Sequence, residues 1–154
     1  MPGFIRSERY LPAGHINRYV RPGAPSDLIK SGINSMEQRT FTTPHGNEVI
    51  ILNPLGRLDI TTAWQFRLRL QETISEATPH ILVNLSEVNF IDSSGLTSLV
   101  AGMRDADKID GSFRICNVHP EAKLVFEVTM MDSVFEIYDT EAEALSAPCK
   151  QAVA

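Results

Sequence analysis

Residues 36–147 show two hydrophobic periods along the chain, and each period predicts a different kind of secondary structure. A β-hairpin comes first, because the strand-like segments 39–43 and 48–54 flank a Pro-His-Gly-Asn turn at 44–47. Short apolar runs with polar or breaking residues on both sides predict four further strands, at 80–85, 88–91, 113–118 and 134–138.

Apolar residues three or four positions apart predict four helices between and after these strands. The first ends before Pro79, and polar side chains at 59–62 can cap its start. The second spans 94–108, and the third opens at Pro120, a favoured first helical position. The fourth begins with the capping-box pattern Thr-x-x-Glu at 140–143. The apolar face of the first helix consists of Ala63, Phe66, Leu70, Ile74 and Ala77.

Strands that alternate with helices after an opening hairpin are typical of an α/β fold. We therefore expect one domain over residues 36–147, in which helices pack against a mostly parallel core sheet. Residues 148–154 are expected to form a short C-terminal tail.

The first 35 residues differ in composition from the rest of the chain. They hold four of the nine glycines and four of the nine prolines, and their apolar residues follow no period. Such a segment buries too little apolar surface to offset the entropy that it loses on ordering. We expect residues 1–35 to form a flexible N-terminal arm, and Met36 is a candidate natural start of the chain.

Charge is distributed unevenly between these two parts. Residues 1–35 contain five basic and two acidic residues, a balance of +3, whereas the remaining nine basic and seventeen acidic residues give −8. An acidic body argues against direct nucleic-acid binding, which needs clustered lysines and arginines. A protein partner fits this balance better.

Cysteine usage and hydropathy favour a cytoplasmic protein. Cys116 and Cys149 have no metal-like spacing with each other or with the four histidines, so we expect two free thiols in a reducing compartment and no metal or cofactor. No apolar run is long enough to span a membrane, and the start of the chain lacks the pattern of a signal peptide.

The segment 88–96 places two hydroxyls and a glycine where an apolar strand ends and a helix begins. The first turn of a helix has unpaired backbone N–H groups, which attract anions. Gly95 leaves room for an approaching group because it has no Cβ. A serine in this place, Ser93 or Ser94, can carry a phosphate that the helix end partly stabilises.

The residues alone leave other interpretations of this segment open. Side chains such as Asp92 most often serve only as helix caps, and Asp59 and Asp92 are better explained as turn and cap carboxylates than as a catalytic pair. The strand–turn–helix pattern also resembles a nucleophile elbow, but Gly-x-Ser-x-Gly is absent and no motif brings a histidine to the serine. Nucleotide binding lacks a glycine-rich phosphate loop with a following lysine. We expect no enzymatic activity.

Four segments in order along residues 38–146 resemble the anti-sigma-factor antagonists of the STAS family. The run Asn-Phe-Ile-Asp-Ser-Ser-Gly-Leu at 89–96 is similar to the phosphorylation-site motif of that family, in which the second serine accepts the phosphate. Segment 54–59 resembles the family's Gly-x-Leu-Asp turn, segment 81–86 its strand before the motif, and segment 128–138 its C-terminal helix and strand.

This resemblance implies a STAS-like domain over 36–147 that acts as a phosphorylation switch. The unmodified protein would bind an anti-sigma factor that is also a serine kinase, and so release a sigma factor or another client. Phosphorylation of Ser94 would break the complex, and a metal-dependent serine phosphatase would restore it. The alternative is a STAS scaffold or adaptor subunit without a switch. The expected environment of the phosphate and surface for the partner consist of Asp59, Asp92, Ser93, Gly95, Leu96 and Thr97.

Two residues depart from the family pattern. Asn84 stands where many relatives have aspartate, which is expected to alter the charge around the phosphorylation site. Met130 stands where many have glycine, so the third helix is expected to end without the usual glycine cap.

Overall fold

The computed structural model describes residues 16–18, as backbone, and residues 36–149. The helices are α1 (Ala63–Thr73), α2 (Ser93–Lys108), α3 (Pro120–Val128) and α4 (Glu141–Ser146), and a 3-10 turn covers Met131–Ser133. The strands are β1 (Ile16–Arg18), β2 (Glu37–Thr42), β3 (Glu48–Asn53), β4 (Gly56–Leu58), β5 (His80–Asn84), β6 (Val88–Ile91), β7 (Ser112–Cys116) and β8 (Glu136–Tyr138).

The main sheet has the strand order β1-β2-β3-β5-β7-β8. Pairing is antiparallel across β1, β2 and β3 and parallel across β3, β5, β7 and β8. The prediction of an α/β fold with an opening hairpin and a mostly parallel core is therefore confirmed. A separate parallel pair, β4 with β6, was not predicted, because β4 has only three residues and no apolar run.

The main sheet carries an apolar cluster on each face. Helices α1, α2 and α3 cover one face with residues such as Phe66, Leu99 and Phe126, all less than 3% exposed. Helix α4 covers the other face through Ala144 and Leu145. Strand residues that alternate along β3 and β5 supply both clusters, as the period of two predicts.

The predicted ends of the domain need correction at two places. Within the proposed arm, Ile16–Arg18 forms a strand that pairs antiparallel with β2, because the edge of β2 offers unpaired backbone groups. Within the proposed tail, Cys149 is buried in the cluster beneath α4, and the Pro148 carbonyl accepts a hydrogen bond from Arg114 Nη2. The other residues of both segments lie outside the described residues.

Helix α1 differs from its prediction at both ends. Its N-cap, Thr62, makes no capping hydrogen bond, because the Thr62 hydroxyl donates to the Arg57 carbonyl at 2.7 Å. The helix ends at Thr73 rather than running to Ala77, although Ile74 still packs against the core. By contrast, α4 has the predicted cap, since the Thr140 hydroxyl accepts from the Glu143 N–H at 3.1 Å.

Helix α3 ends in the left-handed conformation despite the absence of glycine. Met130 adopts φ of 62° and ψ of 20°, and its N–H donates to the Glu127 carbonyl at 3.1 Å. Met130 thus adopts the left-handed conformation that glycine usually provides, and the expectation that the helix would end without such a cap is wrong. A side chain in this conformation costs roughly 1–2 kcal/mol.

Replacement of Met130 by glycine is expected to raise stability slightly. Removing the strain outweighs the extra entropy of glycine in the unfolded chain, so we expect a gain of about 0.5 kcal/mol in urea unfolding. Met130→Ala is the matched control, because it removes the same exposed side chain and keeps the strain. Equal midpoints for the glycine and alanine variants would show that the left-handed conformation costs nothing here.

Candidate functional site

Asp92 joins the start of α2 to the loop after β4. Its Oδ1 accepts from the N–H groups of Ser94 at 2.8 Å and Gly95 at 3.1 Å, which makes Asp92 the N-cap of the helix. Its Oδ2 accepts from the Ile60 N–H at 3.3 Å, and its own N–H donates to the Leu58 carbonyl at 3.1 Å. Asp92 therefore has the structural cap role that its position predicts, and it holds the two loops together.

Asp59 lies in the loop joined in this way and is only 9% exposed. Its carboxylate accepts from the Thr61 hydroxyl at 2.6 Å, the Thr61 N–H at 3.0 Å and Arg57 Nε at 2.9 Å. The hydrogen bond from the Thr61 hydroxyl, followed by that from Arg57, lowers the pKa of Asp59 to about 2. Its carboxylate is thus charged at neutral pH, and the stability that this charge contributes is lost only as the pH falls through this lowered pKa.

The three hydroxyls at the start of α2 differ in exposure. Ser93 and Thr97 are exposed and Ser94 is half-buried. The Thr97 hydroxyl donates to the Ser93 carbonyl at 2.8 Å. Among the residues that the structure describes, none forms a hydrogen bond with the Ser94 hydroxyl, so capping does not occupy it.

Gly95 and Leu96 do not present the open surface that was expected of them. A Cβ on Gly95 would lie 2.2 Å from the Leu58 carbonyl oxygen, so the space beside this glycine is filled by the chain's own backbone. Leu96 is 6% exposed and packs in the core cluster. Neither residue is open to a partner, and the role of Gly95 is to let α2 approach Leu58 of β4.

Gly95→Ala is expected to push α2 and the end of β4 apart. Overpacking against a backbone group costs roughly 1–3 kcal/mol, and the gain in helix propensity recovers at most about 1 kcal/mol, so we expect a net loss of about 2 kcal/mol. Gly102→Ala is the control in the same helix, because its Cβ would meet only the side-chain ends of Leu70 and Phe113, both at 2.8 Å. A Gly95→Ala variant as stable as Gly102→Ala in chemical unfolding would contradict the close approach.

Several large apolar side chains around this site are exposed. Ile60 and Trp64 are 74% and 58% exposed. Phe90 is 40% exposed, and the Arg57 guanidinium carbon lies 4.2 Å from its ring centroid. Sequence reasoning missed Ile60, Phe90 and Arg57 as surface residues of the site. The one signal was position, since each lies within four residues of Asp59 or Asp92.

Asn84 lies in a polar network that holds α4, rather than beside Ser94. Its Nδ2 donates to Glu141 Oε1 at 2.6 Å, and its Oδ1 accepts from Ser86 N–H at 3.0 Å and Asn117 Nδ2 at 3.2 Å. None of its described contacts is with a residue of the candidate site. An aspartate here would face the Glu141 carboxylate, which explains why an amide suits this chain at position 84.

The described residues contain no group of three or more His, Cys, Asp or Glu side chains that could hold a metal ion. Cys116 and Cys149 are both free, as predicted, and both are buried. Burial raises the pKa of the Cys116 thiol to about 12. Among the helices in residues 36–149, none combines the length and apolar character that crossing a membrane requires.

Comparison with known proteins agrees with this fold. A family model described as the STAS domain matches residues 40–144. An anti-sigma F factor antagonist of Paenibacillus polymyxa is 28% identical over 103 residues, which cover 66% of this chain and 88% of that protein. A solved anti-sigma-factor antagonist (STAS) domain protein from Planctomyces limnophilus is 28% identical with a TM-score of 0.55, over 70% of this chain and 94% of that one. The structure of an anti-sigma factor antagonist from Mycobacterium paratuberculosis, 23% identical, shares the fold with a TM-score of 0.60 over 72% of this chain and 92% of that one.

The fold and site define a single α/β domain in which hydroxyl side chains start a helix at the carboxyl end of a strand. The chain belongs to the STAS domain family, whose model covers most of it, from residue 40 to residue 144. Its resemblance to the anti-sigma-factor antagonists of that family is confirmed.

Proposed function

We propose that this protein is an anti-sigma-factor antagonist controlled by phosphorylation of Ser94. In the unmodified state it binds, in the cytoplasm, an anti-sigma factor with serine-kinase activity, and this binding frees a sigma factor or another client. The protein itself catalyses nothing. It is the substrate of the kinase and of a metal-dependent phosphatase that restores the unmodified state.

The observation that carries this proposal is the state of the Ser94 hydroxyl. Asp92 caps α2, so the hydroxyl has no structural hydrogen bond within the described residues and remains half-buried at the helix start. Transfer of a phosphoryl group breaks the bond between the β,γ-bridging oxygen and the γ-phosphorus of ATP and forms a bond from Ser94 Oγ to that phosphorus. The hydroxyl proton passes to a base of the kinase, and ADP leaves.

Phosphorylation changes the charge of this surface more than its fold. The phosphate adds about −1.5 to −2 charges at pH 7, beside the carboxylates of Asp59 and Asp92. The N-terminal end of α2, which carries the positive end of the helix dipole, partly stabilises this negative charge in the free protein. Desolvation of the dianion and like-charge repulsion oppose docking of the partner, so the modified protein keeps its fold and loses the complex.

Incubation with a cognate kinase and ATP, followed by phosphopeptide mapping, tests the acceptor residue. Ser94→Ala should remain unmodified and should lose less than about 0.5 kcal/mol of stability, since Asp92 and not Ser94 provides the cap. Ser93→Ala is the matched control and should accept phosphate at Ser94 as the parent does. Phosphate on Ser93, or outside residues 92–97, would overturn the assignment.

A STAS scaffold without a switch would give a different result in the same experiment. Such a protein would bind its partner before and after incubation with ATP, and no phosphate would appear on Ser94.

A further inference from the structure

Arg57 lies in strand β4, and contacts on two sides hold its guanidinium. Nε donates to Asp59 Oδ2 at 2.9 Å, and the guanidinium carbon lies 4.2 Å from the centroid of the Phe90 ring. Even so, the side chain is 58% exposed. The guanidinium is therefore fixed in position but open to solvent.

The outer part of this guanidinium has no partner in the protein. Nη1 and Nη2 donate to no acceptor among the residues that the structure describes, and the only hydrogen bond of the Arg57 side chain there uses Nε. Two terminal nitrogens in one plane match two oxygens of a phosphate, and such paired contacts are among the strongest hydrogen bonds in proteins. An anion can thus bind Arg57 without displacing Asp59 or Phe90.

Strand pairing places Arg57 next to the end of β4, which lies beside the end of β6, and α2 with Ser94 begins two residues after β6 ends. Arg57 pairs with Phe90 and Leu58 with Ile91, so both strands end where α2 begins. The Leu58 carbonyl accepts from the Asp92 N–H at 3.1 Å and lies against Gly95, so the end of β4 and the first turn of α2 are in direct contact.

We propose that Arg57 binds the phosphate on Ser94 through Nη1 and Nη2. Phe90 and Asp59 hold the guanidinium in place for this contact. This inference rests on the proposed function, because it assumes a phosphate on Ser94. It adds a specific consequence: the modified protein loses an exposed cation from its surface as it gains the phosphate. The pairing also offsets the repulsion between the phosphate and the two nearby aspartates.

A cation bound to the phosphate favours its dianion, so the second pKa of phosphoserine reports the contact. The test uses full-length protein with phosphoserine incorporated at position 94 during translation, and follows the phosphorus NMR shift from pH 4 to pH 8. We expect the second pKa to lie below the ordinary value of about 6. Arg57→Gln should raise it by roughly half a unit to one unit, a three- to tenfold rise in proton affinity.

Two further variants separate a direct contact from a general charge effect. Phe90→Leu keeps the cation and removes the ring beneath it, so an intermediate pKa is expected. Arg67→Gln is the matched control, because Arg67 is also paired with an aspartate, Asp105 at 2.8 Å, but on the face of α1 towards α2. In Arg67→Gln, the second pKa of the phosphate on Ser94 should equal that of the parent.

An unchanged phosphate pKa in Arg57→Gln would overturn the inference, as would an equal rise in Arg67→Gln. If Arg57→Gln alters only the affinity for a kinase partner and not the titration, Arg57 belongs to docking and the inference is wrong. Because the phosphoserine is built in during translation, this result does not depend on any kinase. A failure of the proposed function at the kinase step would leave the titration intact and is therefore distinguishable.

Discussion

Glu141→Ala is expected to destabilise the domain by about 3 kcal/mol, the largest loss of stability that we predict. Both Glu141 oxygens accept from Arg39, Oε2 from Nη1 at 3.0 Å and Oε1 from Nη2 at 2.6 Å. The Arg39 side chain is only 13% exposed. Removing the carboxylate leaves a largely buried guanidinium with only the more distant Glu37, at 3.9 Å, as counter-charge, and it leaves the Asn84 amide without its acceptor.

Thermal unfolding gives a direct measure of this effect. For a domain of this size, a loss of about 3 kcal/mol lowers the Tm by roughly 10 °C. Glu143→Ala is the matched control, since Glu143 is an exposed glutamate in the same helix turn and should cost less than about 1 kcal/mol. If the two variants unfold at the same temperature, the Arg39–Glu141 pair does not stabilise the fold.

The same ion pair gives the stability a dependence on pH. Burial by itself raises the pKa of Glu141, but hydrogen bonds from Arg39 and Asn84 outweigh burial and leave the pKa below its ordinary value. The contribution of the carboxylate is thus fully present above the ordinary value and is lost as the pH falls through the lowered pKa. The difference in stability between the parent and Glu141→Ala should therefore shrink at acid pH.

The periodic elements of this fold could be predicted from sequence because their patterns are local. The hairpin and α2 each carry a hydrophobic period, and the central strand β5 carries an apolar run that the structure buries completely. By contrast, the pairing of Arg39 with Glu141 joins residues 102 positions apart, and no local pattern indicates it. Sequence spacing alone does not distinguish charged residues that form such an ion pair from charged residues that stay in solvent.

The exposed surface of the candidate site depends on a register shift between β4 and β6 that the sequence pattern does not predict. A period of two places Val88 and Phe90 on the same face of β6. In the structure Val88 and Ile91 are buried and Phe90 is exposed, because the register shifts where Gly56 pairs with Val88 and Arg57 with Phe90. That shift turns Phe90 outward, beneath Arg57.

Family resemblance predicts a site at Ser94 and its neighbours but does not predict how accessible these residues are. Gly95 and Leu96 belong to the motif for packing reasons, since one admits the Leu58 carbonyl and the other fills the core. Ser93, Ser94 and Thr97 remain at least partly exposed, together with Ile60 from the joined loop. The expected docking surface therefore contains only part of the motif, and it extends across the loop that follows β4.

Phosphorylation of Ser94 is expected to weaken binding to the anti-sigma factor at least a hundredfold, the largest effect that we predict on function. A hundredfold loss corresponds to about 2.8 kcal/mol, which is within the cost of placing like charges together in an interface. Ser94→Asp adds one charge rather than nearly two and should weaken binding less. Loss of the hydroxyl alone, in Ser94→Ala, should leave the affinity close to that of the parent.

Calorimetric titration measures this effect most directly. A purified anti-sigma factor kinase of the same organism is titrated with the unmodified protein and, separately, with protein that carries phosphoserine at position 94. Phosphoserine at Ser146 is the control, because Ser146 is exposed on α4, which covers the opposite face of the main sheet. We predict tight binding by the unmodified protein and by the Ser146 control, and a Kd at least a hundredfold higher with phosphate on Ser94. Equal affinity of the unmodified and Ser94-phosphorylated proteins would contradict the switch.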